Sequence, residues 1–226
     1  MTNQFSNISC YEEVEIQSVL SGISKSDVLK EFGCKVSDYY FFVSNDGVFN
    51  WFDLKGNHIK DPGVLKRFYK KYIPKTITKC IIPDSVISID NEAFSYCTSL
   101  TSITIPKNVT SIGEEAFWSC RSLKEMIIPN TVTSIGRSAF SHCYLLKEIT
   151  IPNSITSIGM FAFFYCNSLT TISIPNSITN IGACAFVYCD SLKEVIFKGK
   201  TLEEVKQMKN YPFGIEDENA FKCEIC

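Results

Sequence analysis

The sequence predicts a solenoid of stacked coils, α+β in class, with short parallel strands joined by short helical turns, a small α+β unit before the coils and a capping helix after them. Three columns of residues carry this prediction. Proline falls at Pro83, Pro106, Pro129, Pro152 and Pro175, phenylalanine at Phe94, Phe117, Phe140, Phe163 and Phe186, and cysteine at Cys97, Cys120, Cys143, Cys166 and Cys189. Every column steps by 23 residues without a slip in register. A fixed period of this length marks repeated structural units, because one unit cannot bury its apolar face alone and borrows its neighbours' faces to do so.

Within one cassette, 97 to 119, the roles follow from residue type. Leu100, Ile103 and Ile105 point inward from a short strand, with Ser102 and Thr104 outward by alternation. Pro106 has no amide hydrogen, so the strand ladder stops there in every coil. Val109 and Ile112 face inward on the return. Gly113, Gly136, Gly159 and Gly182 form a column that begins with Asp90, and glycine with one aspartate predicts a turn at positive φ. Glu114 to Ser119 is expected to form a helical turn that drops Ala116, Phe117 and Cys120 into the core.

Residues 1–73 lie outside the period and form an expected N-terminal cap of helices and an aromatic hairpin. Helices are expected over 11–20 and from Ser26 to Gly33, the latter between an N-cap serine and a terminating glycine. Tyr39-Tyr40-Phe41-Phe42-Val43 and Val48-Phe49-Asn50-Trp51-Phe52 flank Ser44-Asn45-Asp46-Gly47, a hairpin signal. Asp61-Pro62 then opens an expected helix, with Val64, Leu65, Phe68, Tyr69 and Tyr72 on one side and Lys66, Arg67, Lys70 and Lys71 on the other. The repeats occupy 74–199, starting with an abbreviated coil from Ile73 to Pro83. In 200–226, Thr201 and Glu204 make a capping-box pattern, with Leu202, Val205 and Met208 along one face of a helix expected to seal the open end. Phe221 to Cys226 reads as a tail.

Composition narrows the function. The chain has 45% hydrophobic and 20% charged residues and a formal charge of −2, a globular balance without general attraction to nucleic acid or anionic membrane. No run approaches the roughly 18 apolar residues that span a bilayer. The N-terminus lacks the basic and apolar regions of a signal peptide, which makes the cytoplasm the default expectation. Of eleven cysteines, five share one column, so they are read as reduced, buried thiols and not as a disulfide framework.

At the level of the cassette, L-x-x-I-x-I-P-x-x-V-x-x-I-G-x-x-A-F-x-x-C, the chain resembles the BspA-like leucine-rich repeat family from Pro74 to about Phe197. The resemblance implies a right-handed leucine-rich-repeat solenoid and non-catalytic binding. Members include surface and adhesin-like proteins of gut bacteria and parasitic protists, which implies a cell-surface or secreted location.

Motifs for chemistry are sparse. His58, in an expected turn, and His142, on a repeat surface, are the two histidines, and neither sits in a nucleophile or metal pattern. Glu114-Glu115 and Glu203-Glu204 are adjacent on expected helical turns, so their side chains diverge. Cys223-x-x-Cys226 is half a zinc-ribbon spacing without a second pair. The segment 25–43 has a helix-turn-helix outline, but its second helix would present Asp38, Tyr39 and Tyr40 to the groove. No cofactor or metal is expected.

Surfaces offer more. The strand face presents small polar residues with Glu125 and Glu148 and no aromatic anchor. The helical-turn side carries Tyr96, Trp118, Met160, Phe161, Phe164, Tyr165 and Tyr188; Met160, Phe161, Phe164 and Tyr165 read either as an apolar contact patch or as packing between coils. The chain therefore reads as a non-enzymatic protein that binds a protein partner. A self-associating structural module is the alternative, and an enzyme or DNA-binding protein acting through 1–73 stands third.

Overall fold

A computed structural model describes residues 39–43, 48–53, 58–59, 67–68, 77–82, 84 and 86–225 of the 226-residue chain. The helices expected over 11–20 and 26–33, the turn 44–47, the start of the abbreviated coil at 73–76 and Cys226 lie outside the described residues.

The chain enters through an antiparallel pair, β1 (Tyr39–Val43) and β2 (Val48–Asp53), as the hairpin signal predicts. Strand β3 (His58–Ile59) pairs antiparallel with β2, so His58 opens a strand where a turn was expected. Tyr39 and Tyr40 lie in β1, which removes the second helix of the helix-turn-helix outline. Arg67–Phe68 forms β4, paired parallel with the next return strand through Phe68↔Ile89. The helix expected over 61–72 is thus overturned at these two residues: their spacing suits a helix stripe, but stacking against Ser88–Ile89 decides the conformation.

Each coil then contributes one strand to each of two sides. The pairs are β5 (Lys79–Ile81) and β6 (Ser88–Ile89), β7 (Ser102–Thr104) and β8 (Ser111–Ile112), and β9 (Glu125–Ile127) and β10 (Ser134–Ile135). They continue as β11 (Glu148–Thr150) and β12 (Ser157–Ile158), β13 (Thr171–Ile174) and β14 (Asn180–Ile181), with β15 (Glu194–Lys198) the last repeat strand on the first side. Pairing is parallel and in register between equivalent residues, as in Lys79↔Ser102, Glu125↔Glu148 and Ile172↔Val195. The return strands form one six-stranded sheet in the order β14-β12-β10-β8-β6-β4. The first strands fall in three sheets, β2-β5-β7, β9-β11 and β13-β15, so the molecule is a parallel β-solenoid whose first side is extended at its start by β2, which pairs parallel with β5.

Burial follows the predicted columns. Leu100, Val109, Ala116, Phe117 and Cys120 are fully buried, as are their equivalents Leu123, Val132, Ala139, Phe140 and Cys143 one coil on. The five phenylalanines of the column form a single stack, ring centroids 5.1–5.6 Å apart and planes within 8° of parallel. Each such aromatic pair adds about 0.5–1.5 kcal/mol beyond the area it buries.

The helical turn expected from Glu114 to Ser119 is instead a run of tight turns. Glu115 and Ser119 have φ of 54° and 56°, and the same two positions are left-handed in the other coils, as at Glu92 and Tyr96 or Phe161 and Tyr165. Alternate amides leave the coil: those of Glu92, Phe94 and Tyr96 donate to the carbonyls of Glu114, Ala116 and Trp118 at 2.8, 2.7 and 2.7 Å. The intervening Ala93, Ser95 and Cys97 amides bond back three residues. Left-handed backbone costs a non-glycine residue about 1–2 kcal/mol, and the inter-coil bonds offset it by satisfying amides that would otherwise be buried without acceptors.

The glycine column has a different cause from the one expected. Gly113, Gly136, Gly159 and Gly182 are not in the left-handed region. A Cβ on Gly159 would lie 2.5 Å from the Gly136 carbonyl carbon and 2.6 Å from the Arg137 nitrogen, so what demands glycine is the close approach of the preceding coil. Asp90 stands first in this column and accepts a hydrogen bond from Ser88 Oγ at 3.1 Å.

At the far end, α1 (Leu202–Gln207) has the predicted capping box: the Thr201 side chain accepts from the Glu204 amide, and the Glu204 carboxylate accepts from the Thr201 amide. Val205 is buried, and Leu202 and Met208 pack on the core. Phe221–Glu224, expected as a tail, is strand β16, paired parallel with β15 through Val195↔Phe221 and burying Phe221.

The cysteine column is buried, and its thiols donate to carbonyls of the preceding coil, Cys143 Sγ to Phe117 and Cys166 Sγ to Phe140, both at 3.2 Å. Burial pushes Cys143 and Cys166 well above the ordinary thiol range and Cys189 up to about 12. The thiolate is the reactive species, so a rise of this size lowers its population roughly a thousandfold at neutral pH. A chromogenic disulfide reagent is expected to leave the column unmodified in the native protein and to titrate it within minutes in denaturant without reductant; few free thiols in the unfolded sample would contradict the reading of reduced core thiols.

Candidate functional site

The tight turns decide which side chains reach the surface. In each coil Ala, Phe and Cys point inward, while the residue two after the core phenylalanine sits at positive φ: Tyr96, Ser119, His142, Tyr165 and Tyr188. Equivalent residues of adjacent coils stack, so aromatic side chains here line up along the solenoid axis.

They form a continuous ridge. Tyr96 meets Trp118 edge to face with centroids 4.6 Å apart, and Trp118 meets His142 at 6.1 Å. His142 contacts Phe164 at 5.6 Å and Tyr165 at 5.1 Å; Tyr165 and Phe164 then meet Tyr188 at 4.4 and 5.5 Å. Tyr144 flanks the ridge against His142 and Tyr165, and the Arg121 guanidinium carbon lies 5.7 Å from the centroid of the Tyr144 ring. Phe161 extends the ridge sideways through its contact with Phe164 at 5.4 Å.

Tyr96, Tyr188 and Met160 are exposed, at 42%, 50% and 36%, while Trp118, Phe161, Phe164 and Tyr165 are half-buried. The half-buried rings thus pack between coils and keep part of their surface exposed. Trp118, Phe161, Phe164, Tyr165 and Tyr188 are brought together; Met160 shares the coil of Phe161, Phe164 and Tyr165. Glu125 and Glu148 stand on the strand ladder, exposed and directly opposite each other in register. That side also carries a shallow groove of mixed polarity, lined by Glu148, Asn153, Thr171 and Lys198 together with Ile151 and Pro175.

His142 and Tyr144 belong to the ridge and escaped the sequence reading. For His142 the signal was present in the column two after each core phenylalanine, which reads Tyr, Ser, His, Tyr, Tyr; Tyr144, four after Phe140, lies outside it. Trp118 Nε1 donates to His142 Nδ1 at 3.2 Å, and Ser141 Oγ lies 2.8 Å from the same nitrogen. Burial, with Arg121 second, holds the His142 imidazole below its ordinary pKa. Among the described residues no group of three or more His, Cys, Asp or Glu is placed to hold a metal ion, and no helix is long and apolar enough to cross a membrane.

A family sequence model described as "BspA type Leucine rich repeat region (6 copies)" matches over residues 68–193 and 111–214. Among solved structures, the chain is similar to the Treponema pallidum leucine-rich repeat protein, with 21% identity over 81% of this chain and 96% of that one and a TM-score of 0.51. It is also similar to a leucine-rich repeat protein of Eubacterium ventriosum, with 23% identity over 84% and 51% of the two chains and a TM-score of 0.55. A leucine-rich cell surface protein of Faecalibacterium prausnitzii is 29% identical over 71% and 53% of the two chains, with a TM-score of 0.47. The chain thus spans about half the length of the last two. No curated protein sequence matches.

Proposed function

This chain belongs to the BspA-type leucine-rich repeat family, and from that premise we propose that it is a non-catalytic binding protein whose aromatic ridge meets a protein partner. The continuous run of Tyr, Trp, His and Phe side chains along five coils carries the proposal. Tyrosine and tryptophan supply large contact areas at low entropic cost and dominate binding energy where interfaces have been dissected. The polar strand face, with its stacked glutamates, has no such anchor. In this reading the solenoid is right-handed, residues 1–73 and 200–226 cap it, and its setting is a cell surface or the space outside a cell, as the family suggests.

The test uses the intact chain as bait and compares two double variants. Tyr96→Ser with Tyr188→Ser removes the two exposed ends of the ridge, and an unchanged circular dichroism spectrum establishes that the coils stay folded in the variant. Captured partner is expected to fall at least about tenfold, since two anchors each contribute more than about 1 kcal/mol. Glu125→Lys with Glu148→Lys is expected to leave capture unchanged. Loss only in the glutamate variant would move the site to the strand face; a dimer in light scattering that disappears with the tyrosine variant would assign the ridge to self-assembly.

A further inference from the structure

Among the described residues, the two halves of the ridge, Tyr96–Trp118 and Phe164–Tyr165–Tyr188, are joined in their ring contacts by a single residue, His142. Its Nδ1 has two neighbours with different demands. The Trp118 indole nitrogen can only donate, so its bond at 3.2 Å requires an unprotonated Nδ1. The Ser141 hydroxyl at 2.8 Å can donate or accept, and Ser141 is 2% exposed, so it is present in either state. We infer that His142 is a proton-operated joint: protonation converts Nδ1 from acceptor to donor, transfers its hydrogen bond to Ser141 and releases Trp118.

The backbone cannot absorb this change. The His142 amide donates to the Phe164 carbonyl at 2.7 Å and the Trp118 amide to the Glu115 carbonyl at 3.0 Å, which leaves the side chains to move. The titratable and charged groups facing the imidazole are Arg121 from the preceding coil, Tyr144 from its own coil and Tyr165 from the next. Arg121, like burial, favours the neutral ring. The folded pKa being depressed, the stability contributed by neutral His142 is present above the ordinary value of 6.5 and is lost as pH falls through the lower, folded value. Trp118 carries Tyr96 with it through their edge-to-face contact, so acid is expected to disconnect the N-terminal half of the ridge. Any consequence for partner binding rests on the ridge being the contact surface; the joint itself does not.

The experiment therefore needs no partner. The chain has two tryptophans, Trp118 and Trp51, so its nitrogen-15 spectrum contains two indole cross peaks, assigned with W51F. Between roughly pH 7.5 and 4.5, the range in which histidines titrate, the Trp118 indole proton is expected to move upfield and exchange faster with water. Its midpoint should lie below 6.5 and equal that of the His142 ring protons; the Trp51 peak, on the strand paired with His58–Ile59, is set aside, and the His142 variant provides the control. His142→Asn suits the φ of 61° at this position and does not titrate, so the transition is expected to vanish in it. A Trp118 peak that stays still while His142 titrates overturns the joint, as does a transition that survives in H142N or a His142 ring that does not titrate in this range. Ridge variants that abolish partner capture while the Trp118 transition persists would support both readings; a transition without any ridge-dependent partner would leave the joint standing and remove only its role in binding.

Discussion

Replacing Phe140 by alanine is expected to cost about 3–5 kcal/mol, the range for deleting a buried phenylalanine from a core that cannot collapse around the gap. Its ring is fully buried and stacked on both faces, 5.3 Å from Phe117 at 2° and 5.6 Å from Phe163 at 5°. Inter-coil hydrogen bonds from Phe117 to the Ala139 carbonyl and from Phe140 to the Ala162 carbonyl hold the flanking coils at fixed spacing, so the void cannot close by approach. Stability in a stacked array is nearly a sum of units and the interfaces between them, and this change weakens two adjacent interfaces at once. Urea unfolding followed by circular dichroism is expected to show a lower midpoint or a transition split into two steps. An unchanged curve would mean that the phenylalanine stack does not hold the coils together.

Gly159→Ala is expected to be about as damaging, at about 3 kcal/mol or more, the upper end of the cost of overpacking. The added carbon would fall 2.5–2.6 Å from the Gly136 carbonyl group and the Arg137 nitrogen. Those atoms are backbone, held in the ladder by bonds such as the Gly159 amide to the Ile135 carbonyl at 2.9 Å, and cannot swing aside as a side chain would. Gly159→Asn separates this cause from the one the sequence suggested. Asparagine tolerates positive φ, so a conformational requirement would leave G159N near wild type, whereas a steric one makes it at least as unstable as G159A. Comparison of the two thermal midpoints decides the matter. Gly199, at φ 67° with only the Asn176 side chain 3.0–3.2 Å from an added carbon, supplies the contrast, and G199A is expected to lose about 1–2 kcal/mol.

Periodicity made most of the solenoid legible before any coordinates. The inward columns of Leu100, Val109, Phe117 and Cys120 and the strand Ser102–Thr104 that ends ahead of Pro106 follow from one residue type at one repeated position, and the capping box at Thr201 and Glu204 from its own spacing. Where the reading failed, long-range contacts had overruled local preference. Ala116, Phe117 and Cys120 have helix-like spacing, yet their segment is a run of turns because alternate amides find acceptors 22 residues away. Left-handed backbone then falls on Tyr96 and Phe161 while Gly113 and Gly136 do without it, so residue type points to the wrong positions. Arg67–Phe68 and Phe221–Glu224 gained strand structure from pairing with β6 and β15, partners that their own short sequences do not announce.

The candidate site was legible in its members and not in its connections. Trp118, Phe164 and Tyr188 stand out as large apolar residues at outward positions. His142 is marked only by the period, which puts it in one column with Tyr96 and Tyr165; its ring contacts with Trp118 and Tyr165 come from coil stacking.

The turn that supports the ridge takes its shape from amide-to-carbonyl bonds between coils, so the backbone at positions 96, 119, 142, 165 and 188 is the same whether the residue is tyrosine, serine or histidine. Such a frame works as movable type: a character can be exchanged in one coil without resetting the line. Specificity can therefore drift by single substitutions on a scaffold that does not have to change with them, and a lengthened array would add new characters at the same pitch.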